Sequence, residues 1–147
     1  MKNFLEMLDI KPELDIIIKL RAVTENGYPS VLVEVNNRSV LHNSLLGVVE
    51  HKFTMPLLEP IQIKISMSNK EYHEHKETAV VLESVRIDDF EVIPDWTHLT
   101  RYNNERGIDR PVSYLGYNGS WVLNIPEPFY QWHHRVTGQG WLLEPVS

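Results

Sequence analysis

The chain has 147 residues, of which 42% are hydrophobic and 23% charged, and it contains no cysteine. That is enough for one hydrophobic core of ordinary size without disulfides or a structural metal, and it excludes cysteine nucleophiles, thiolate zinc sites and thiol redox switches. A net charge of -6 argues against a nucleic-acid partner, which requires clustered Lys and Arg, and against an anionic membrane surface.

Residues 1–12 read as a short lead with helical spacing of Phe4, Leu5 and Leu8, stopped by Pro12. Acidic residues interrupt its apolar stretch and no window approaches 18 apolar residues, so the expectation is a soluble chain made without a classical secretory signal and without membrane insertion. From Leu14 the period is two. Leu14, Ile16, Ile18, Leu20 and Ala22 share one face, against Asp15, Lys19 and Arg21 on the other, which predicts a half-buried strand. Val31, Val33 and Val35 repeat the pattern. Asn36-Asn37, a pair that tolerates left-handed backbone, then predicts a hairpin returning at Val40-Leu41. Val49, His51, Phe53 and Met55 alternate with Glu50, Lys52 and Thr54, and Ile61, Ile63, Ile65 and Met67 with Gln62, Lys64, Ser66 and Ser68. A charged loop, 69–77, leads into a long strand region from Thr78 to Ile93. There Ala79, Val81, Val85 and Ile87 are expected inward, with Phe90 and Val92 after a bend or bulge at Asp88-Asp89. Six or seven strands and little helix indicate an all-β fold, an antiparallel, jelly-roll-like β-sandwich over residues 13–94, with a barrel as the other closed arrangement.

Composition changes at Pro94-Asp95: every Lys precedes it, and all four Trp follow it. Residues 95–147 are aromatic, punctuated by proline and spaced by glycine, with clear strand alternation only from Ser120 to Ile125. Pro126-Glu-Pro128 predicts an extended course, and Gly138-Gln-Gly140-Trp141 a tight turn presenting a ring. The region reads as an extended arm without a core of its own, laid on the sandwich or on neighbouring subunits. Its aromatic residues Trp96, Tyr114, Tyr117, Trp121, Tyr130, Trp132 and Trp141 are the candidates for contact with a partner or a carbohydrate, because such rings give large contact area at low entropic cost.

Few groupings carry chemistry. His73-Glu74-His75, between Glu71 and Glu77, places two imidazoles on one side of an extended backbone, as a shared metal requires, or else forms a solvated loop. Asp88-Asp89 with Glu91 reads as a polar strand edge, because adjacent carboxylates on a strand face opposite ways. His133-His134 beside Trp132 lacks a nucleophile at a recognisable spacing and reads as packing or interface. No nucleophile elbow, glycine-rich phosphate loop or zinc-protease helix is present. The expectation is a non-enzyme without a cofactor.

The stretch from Leu14 to Val92 resembles the small β-sandwich carbohydrate-binding modules of the calcium-dependent, xylan-binding type. The likeness is carried by Val31-Leu-Val-Glu-Val35 running into Asn36-Asn37, by Phe53-Thr-Met-Pro-Leu57, by Ile61-Gln-Ile-Lys-Ile65-Ser-Met-Ser-Asn69 and by Val81-Leu-Glu-Ser-Val85-Arg-Ile87. The resemblance implies the sandwich scaffold, polysaccharide binding and calcium. Where those modules place Asn-Asp, this chain has Asn69-Lys70, a cation in the place of a calcium-binding carboxylate, and Glu83 is the acidic counterpart that remains. His73, His75 and Glu83 are thus the candidate metal ligands. The aromatic tail, with Tyr114-Leu-Gly-Tyr-Asn-Gly and Gly138-Gln-Gly-Trp, looks similar in style to bacteriophage structural proteins. The leading expectation is therefore a structural subunit of a phage particle, in capsid decoration, tail, baseplate or fibre. It would be homo-oligomeric or bound to other virion subunits, and located in the virion. The alternative is a carbohydrate-binding module recognising a polysaccharide, with a cytoplasmic soluble chain as the alternative location.

Overall fold

A computed structural model describes residues 13–68, 70, 72, 74–88, 90–93, 95–105 and 112–137. Among them are the strands β1 (Glu13–Thr24), β2 (Ser30–Val35), β3 (Arg38–His42), β4 (Val48–Pro56), β5 (Ile61–Ser68), β6 (Thr78–Ile87), β7 (Phe90–Ile93), β8 (Arg101–Asn104), β9 (Tyr114–Leu115) and β10 (Gly119–Ile125), followed by the helix α1 (Phe129–Thr137). The lead at 1–12, His73 and the Gly138–Trp141 turn lie outside the described residues.

The period-two segments become two antiparallel sheets. One has the order β4-β1-β6-β7, with β9 also paired to β6; the other has the order β3-β2-β5-β10-β8. Alternate side chains leave opposite faces of a strand. Leu14, Ile16, Ile18 and Leu20 of β1, Val31, Val33 and Val35 of β2, and Ile61, Ile63, Ile65 and Met67 of β5 are all buried in one shared core. The expected antiparallel β-sandwich is the architecture. The pattern also fixes register. Slipping β5 by one residue would expose its four apolar side chains and bury Lys64. At about 1.5–3 kcal/mol per side chain this costs roughly 6–12 kcal/mol, comparable with the entire stability of an ordinary domain.

Asn36 has φ 52° at the two-residue turn between β2 and β3, as its tolerance of left-handed backbone predicts. Its side chain ties the turn to the start of the neighbouring strand β5: Oδ1 accepts from the Gln62 amide at 2.8 Å, and Nδ2 donates to the Pro60 carbonyl at 3.1 Å.

Of the β6 residues expected inward, Ala79, Val85 and Ile87 are buried, and the phase is corrected at Val81. Val80, Leu82, Val85 and Ile87 belong to the core, while Val81 is only half-buried. An unbroken odd-numbered face would drive Glu83 into the interior. Instead the register with β1 shifts between Leu82 and Ser84, leaving Glu83 outside, where it accepts from Arg21 Nε at 2.7 Å. A second shift, in the β6–β7 pairing, sets Val85 opposite Ile93 and Arg86 opposite Glu91. Val92 is buried, whereas Phe90, expected inward, is exposed.

The chain also departs from the expected boundary at residue 94. Strand β10 lies inside the second sheet, hydrogen-bonded to β5 on one side and β8 on the other, and β9 extends the first sheet. Trp121 is fully buried, and its Nε1 donates to the Val112 carbonyl at 2.9 Å. The segment after Pro126 does not stay extended. The Trp132 amide donates to the Pro128 carbonyl at 3.1 Å and opens α1, consistent with proline's tolerance in a first helical turn. Phe129 and Trp132, three residues apart, are buried, and Val136 packs beside them. Trp96 meets the Trp132 ring edge-on, with centroids 6.3 Å apart. The hydrophobic surface that this region needs is supplied by the sandwich of the same chain.

Candidate functional site

The densest grouping of polar and aromatic side chains sits where β5 ends, β6 and β10 begin and β9 lies alongside. Strand β5 stops at Ser68, yet the pairing to the β10 side continues through a side chain. Asn118 Oδ1 accepts from the Lys70 amide at 3.0 Å, and its Nδ2 donates to the Lys70 carbonyl at 3.2 Å. The adjacent Gly119 sits against β8 so closely that a Cβ there would lie 2.3 Å from the Asn103 carbonyl oxygen, so only glycine fits. With its backbone fixed, the Lys70 side chain turns inward and is only 4% exposed. Its ammonium donates to the Glu77 carboxylate and to the Gly116 carbonyl. It also lies 5.0 Å from the ring centre of Tyr72 and 5.8 Å from that of Tyr117.

Around this cation the tyrosines are fixed from several directions. The Asn118 amide donates to the Tyr72 hydroxyl at 3.1 Å. Tyr114 donates its hydroxyl proton to Glu77 Oε2 at 3.0 Å. The buried Tyr102 hydroxyl accepts from the Tyr117 amide at 2.9 Å and donates to the Tyr117 carbonyl, setting the turn that carries Tyr117. Tyr72 and Tyr114 remain 49% and 43% exposed. The outcome is a hydrogen-bonded end surface carrying two half-exposed tyrosines with polar groups between them.

The electrostatics follow from this geometry. Burial pushes the Glu77 carboxyl up, but hydrogen bonds from Lys70 and Tyr114, the charge of Lys70 and the Thr78 amide outweigh it and hold the group below the usual range. Tyr114 is pushed up to about 12, first by burial and then by its hydrogen bond to the Glu77 carboxylate and that group's charge. At neutral pH the site is a neutral phenol, a carboxylate and an ammonium, with the two charges paired.

The residues implicated in metal binding do not fit calcium. A calcium ion takes six to eight oxygen ligands. Among the described residues no group of three or more His, Cys, Asp or Glu comes together. The Lys70 ammonium already holds the Glu77 carboxylate, and Glu83 is paired to Arg21. A divalent ion at either place would displace a basic side chain from its partner. His75 is exposed and near Glu74, at 3.6 Å.

The expected aromatic contacts divide. Tyr114 and Tyr117 belong to the end surface, Trp121 and Trp132 are core residues that no ligand can reach, and Trp141 lies outside the described residues. Tyr130 is exposed at the far side of α1, where its hydroxyl donates to Asp88 Oδ2 at 2.5 Å. Asp88, in the left-handed region at φ 52°, also pairs with the backbone of Asp15. Asp88 thus works as a turn cap; Asp89 lies outside the described residues. His133 lies against Phe90, with centroids 4.2 Å apart. Burial, and then His134, lower its pKa, so it is a packed, neutral imidazole. Lys70, Tyr72, Glu77 and Asn118 escaped the sequence reading as a group. The one local signal was a lysine directly after the clearest strand, facing the Tyr114-Leu-Gly-Tyr117 turn.

No family model and no curated protein matches the chain. Solved structures similar to it include two of the same protein. One, described as vCBM60 in complex with galactobiose, has 14% sequence identity and a TM-score of 0.48, covering 75% of this chain and 97% of that one. The other is the selenomethionine form of vCBM60, described with a circular permutation linking two families of calcium-dependent carbohydrate-binding modules. It has 13% identity and a TM-score of 0.49, covering 76% of this chain and 92% of that one. Likenesses at this level assign neither a ligand nor a metal to the present chain.

Proposed function

We propose that the chain is a non-enzymatic carbohydrate-binding module that takes a saccharide on its tyrosine-lined end, with the Lys70 ammonium standing where a metal ion would otherwise organise the site. The observation that carries this reading is the pair of half-exposed rings, Tyr72 and Tyr114, fixed by hydrogen bonds around a buried cation. The apolar face of a sugar ring packs on an aromatic face, and its hydroxyls need donors and acceptors held at fixed places. A surface rigid before binding loses little entropy when it is occupied. The sequence resemblance of Leu14 to Val92 to sugar-binding sandwiches supports the same reading. The particle-subunit reading rested on aromatic residues in search of a neighbour's surface, and Trp121, Phe129 and Trp132 are buried in this chain's own core.

The test is a polysaccharide and oligosaccharide array probed with the full chain, with a chelator and with added calcium. The expected result is binding to at least one glycan that is unchanged by chelator and falls at least about 10-fold in Tyr72→Ala, the loss typical of an interface tyrosine anchor. An array without hits, or binding that Tyr72→Ala and Tyr114→Ala both leave intact, contradicts the proposal.

A further inference from the structure

Among the described residues, β3 and β4 are the outermost strands of their respective sheets, β3 paired with β2 and β4 with β1. Along β3 the half-buried positions are Val40 and His42; along β4 they include Val49 and His51. Val40 and Val49 pack against the core, which puts the two histidines on the same inward faces. His42 stands opposite Val31 on β2, and His51 opposite Ile18 on β1. The imidazoles therefore come from different sheets and meet across the seam between β3 and β4. Their Nε2 atoms are 2.6 Å apart, and the ring centroids 4.8 Å.

We propose that His42 and His51 form a two-imidazole chelate for a late first-row divalent transition metal ion, with zinc as the ion to test first. Two imidazoles can touch through their Nε2 atoms only if one carries a proton there and the other offers its lone pair. Shifting that proton to the same ring's Nδ1 leaves an Nε2 lone pair on each ring for an entering ion. Imidazole nitrogens bind such ions at about 2.0–2.1 Å, which places two ligands in one coordination sphere about 3 Å apart. A small torsional opening of the side chains reaches this spacing. Nitrogen donors select zinc, copper or nickel over calcium and magnesium. The ion would join the edge strands of the two sheets and leave its remaining positions to water. The seam is separate from the Lys70 end: β2 lies between β3 and β5, the strand that leads to Lys70, a span of roughly 10 Å at about 4.8 Å per strand.

The experiment uses the untagged full chain, freed of metal by chelator and titrated with zinc chloride, read by calorimetry and thermal unfolding. Saturable 1:1 binding is expected. The melting temperature should rise by about 5–10 °C at a hundredfold excess over the dissociation constant, because an ion that binds only the folded chain stabilises it. His42→Ala and His51→Ala should each weaken binding at least about 10-fold, while His75→Ala, an exposed loop histidine, leaves it unchanged. Should either seam variant fail to fold, nickel added to the wild-type chain must selectively broaden the His42 and His51 ring resonances. Absence of stoichiometric zinc binding, binding that survives both seam variants, or broadening confined to other histidines overturns the proposal.

Discussion

Replacing Lys70 with methionine keeps most of the aliphatic stem and removes the charge, so it isolates what the ammonium contributes. The Gly116 carbonyl would lose its charged donor at a buried position, a cost of about 1–3 kcal/mol. The two tyrosine faces would lose their cation, about 0.5–1 kcal/mol. Glu77 is 41% exposed and can turn to water, so the broken pair itself counts for no more than about 1 kcal/mol. Against these stands relief from keeping an ammonium out of water, which makes buried ion pairs poor stabilisers in general. With one partner half in solvent, that relief offsets part of the loss and leaves a destabilisation of about 2 kcal/mol. At roughly 2–4 °C per kcal/mol for a chain of this length, Lys70→Met should melt about 4–8 °C below wild type. The pH dependence gives the sign. A carboxyl held below its usual range contributes stability that is present above about pH 4.3 and disappears as pH falls through its folded-state value. The gap between wild type and Lys70→Met should therefore be full at neutral pH and narrow in acid. Thermal unfolding followed by circular dichroism from neutral pH to pH 3 measures both. A variant as stable as wild type, or a gap that does not narrow in acid, refutes the reasoning.

Gly119→Ala would place a methyl group 2.3 Å from the Asn103 carbonyl oxygen and 2.5 Å from the Asn104 Cα. Both are backbone atoms, so β8 must part from β10 at a cost of about 2–3 kcal/mol or more; an unchanged urea midpoint contradicts the close approach. Trp121→Ala should cost about 3–5 kcal/mol, as for other buried aromatic residues. A loss below about 1 kcal/mol in denaturant unfolding would mean that β10 is not part of the core. Tyr114 should ionise near pH 12, after an ordinary tyrosine. Because its folded-state pKa is raised, its contribution is present below about pH 10 and lost as pH climbs towards 12. A spectrophotometric tyrosinate titration should show the high-pH component shrink by one tyrosine in Tyr114→Phe, leaving Tyr102, which burial also raises, and part of it move down in Glu77→Gln; a component unmoved by both variants contradicts the Tyr114–Glu77 bond.

Much of the sandwich was legible because burial on one face imprints a period of two. β1, β2, β4, β5 and β10 carry that imprint, and Asn36 marks its turn by chemistry that a left-handed residue requires. In β6 the alternation fails at Val81 because a bulge consumes one residue and reverses the faces across it, and Glu83, in the middle of an apolar alternation, is the sign that it must. Helix α1 was missed because Pro126 and Pro128 argue locally for extension, whereas Phe129, Trp132 and Val136 have helical spacing that matters only once a core exists to receive it. The tail reads as an arm laid on the sandwich or on a neighbour for the same reason: strand pairing between residues some fifty positions apart, such as Trp121 with Ile65, leaves no local trace. The Lys70 cluster is the extreme case. It joins a loop lysine, a strand-leading glutamate and tyrosines from distant segments, and although Lys70, Tyr114 and Tyr117 each stand out in the sequence, nothing local says that they meet.

The most direct measurement is an amide chemical-shift titration of the chain with its best array glycan in the presence of a chelator. The account predicts saturable shifts concentrated at Lys70, Tyr72, Glu77, Tyr114 and Asn118. Shifts confined to the seam of β3 and β4 or to α1, or binding that appears only when calcium is restored, would contradict it.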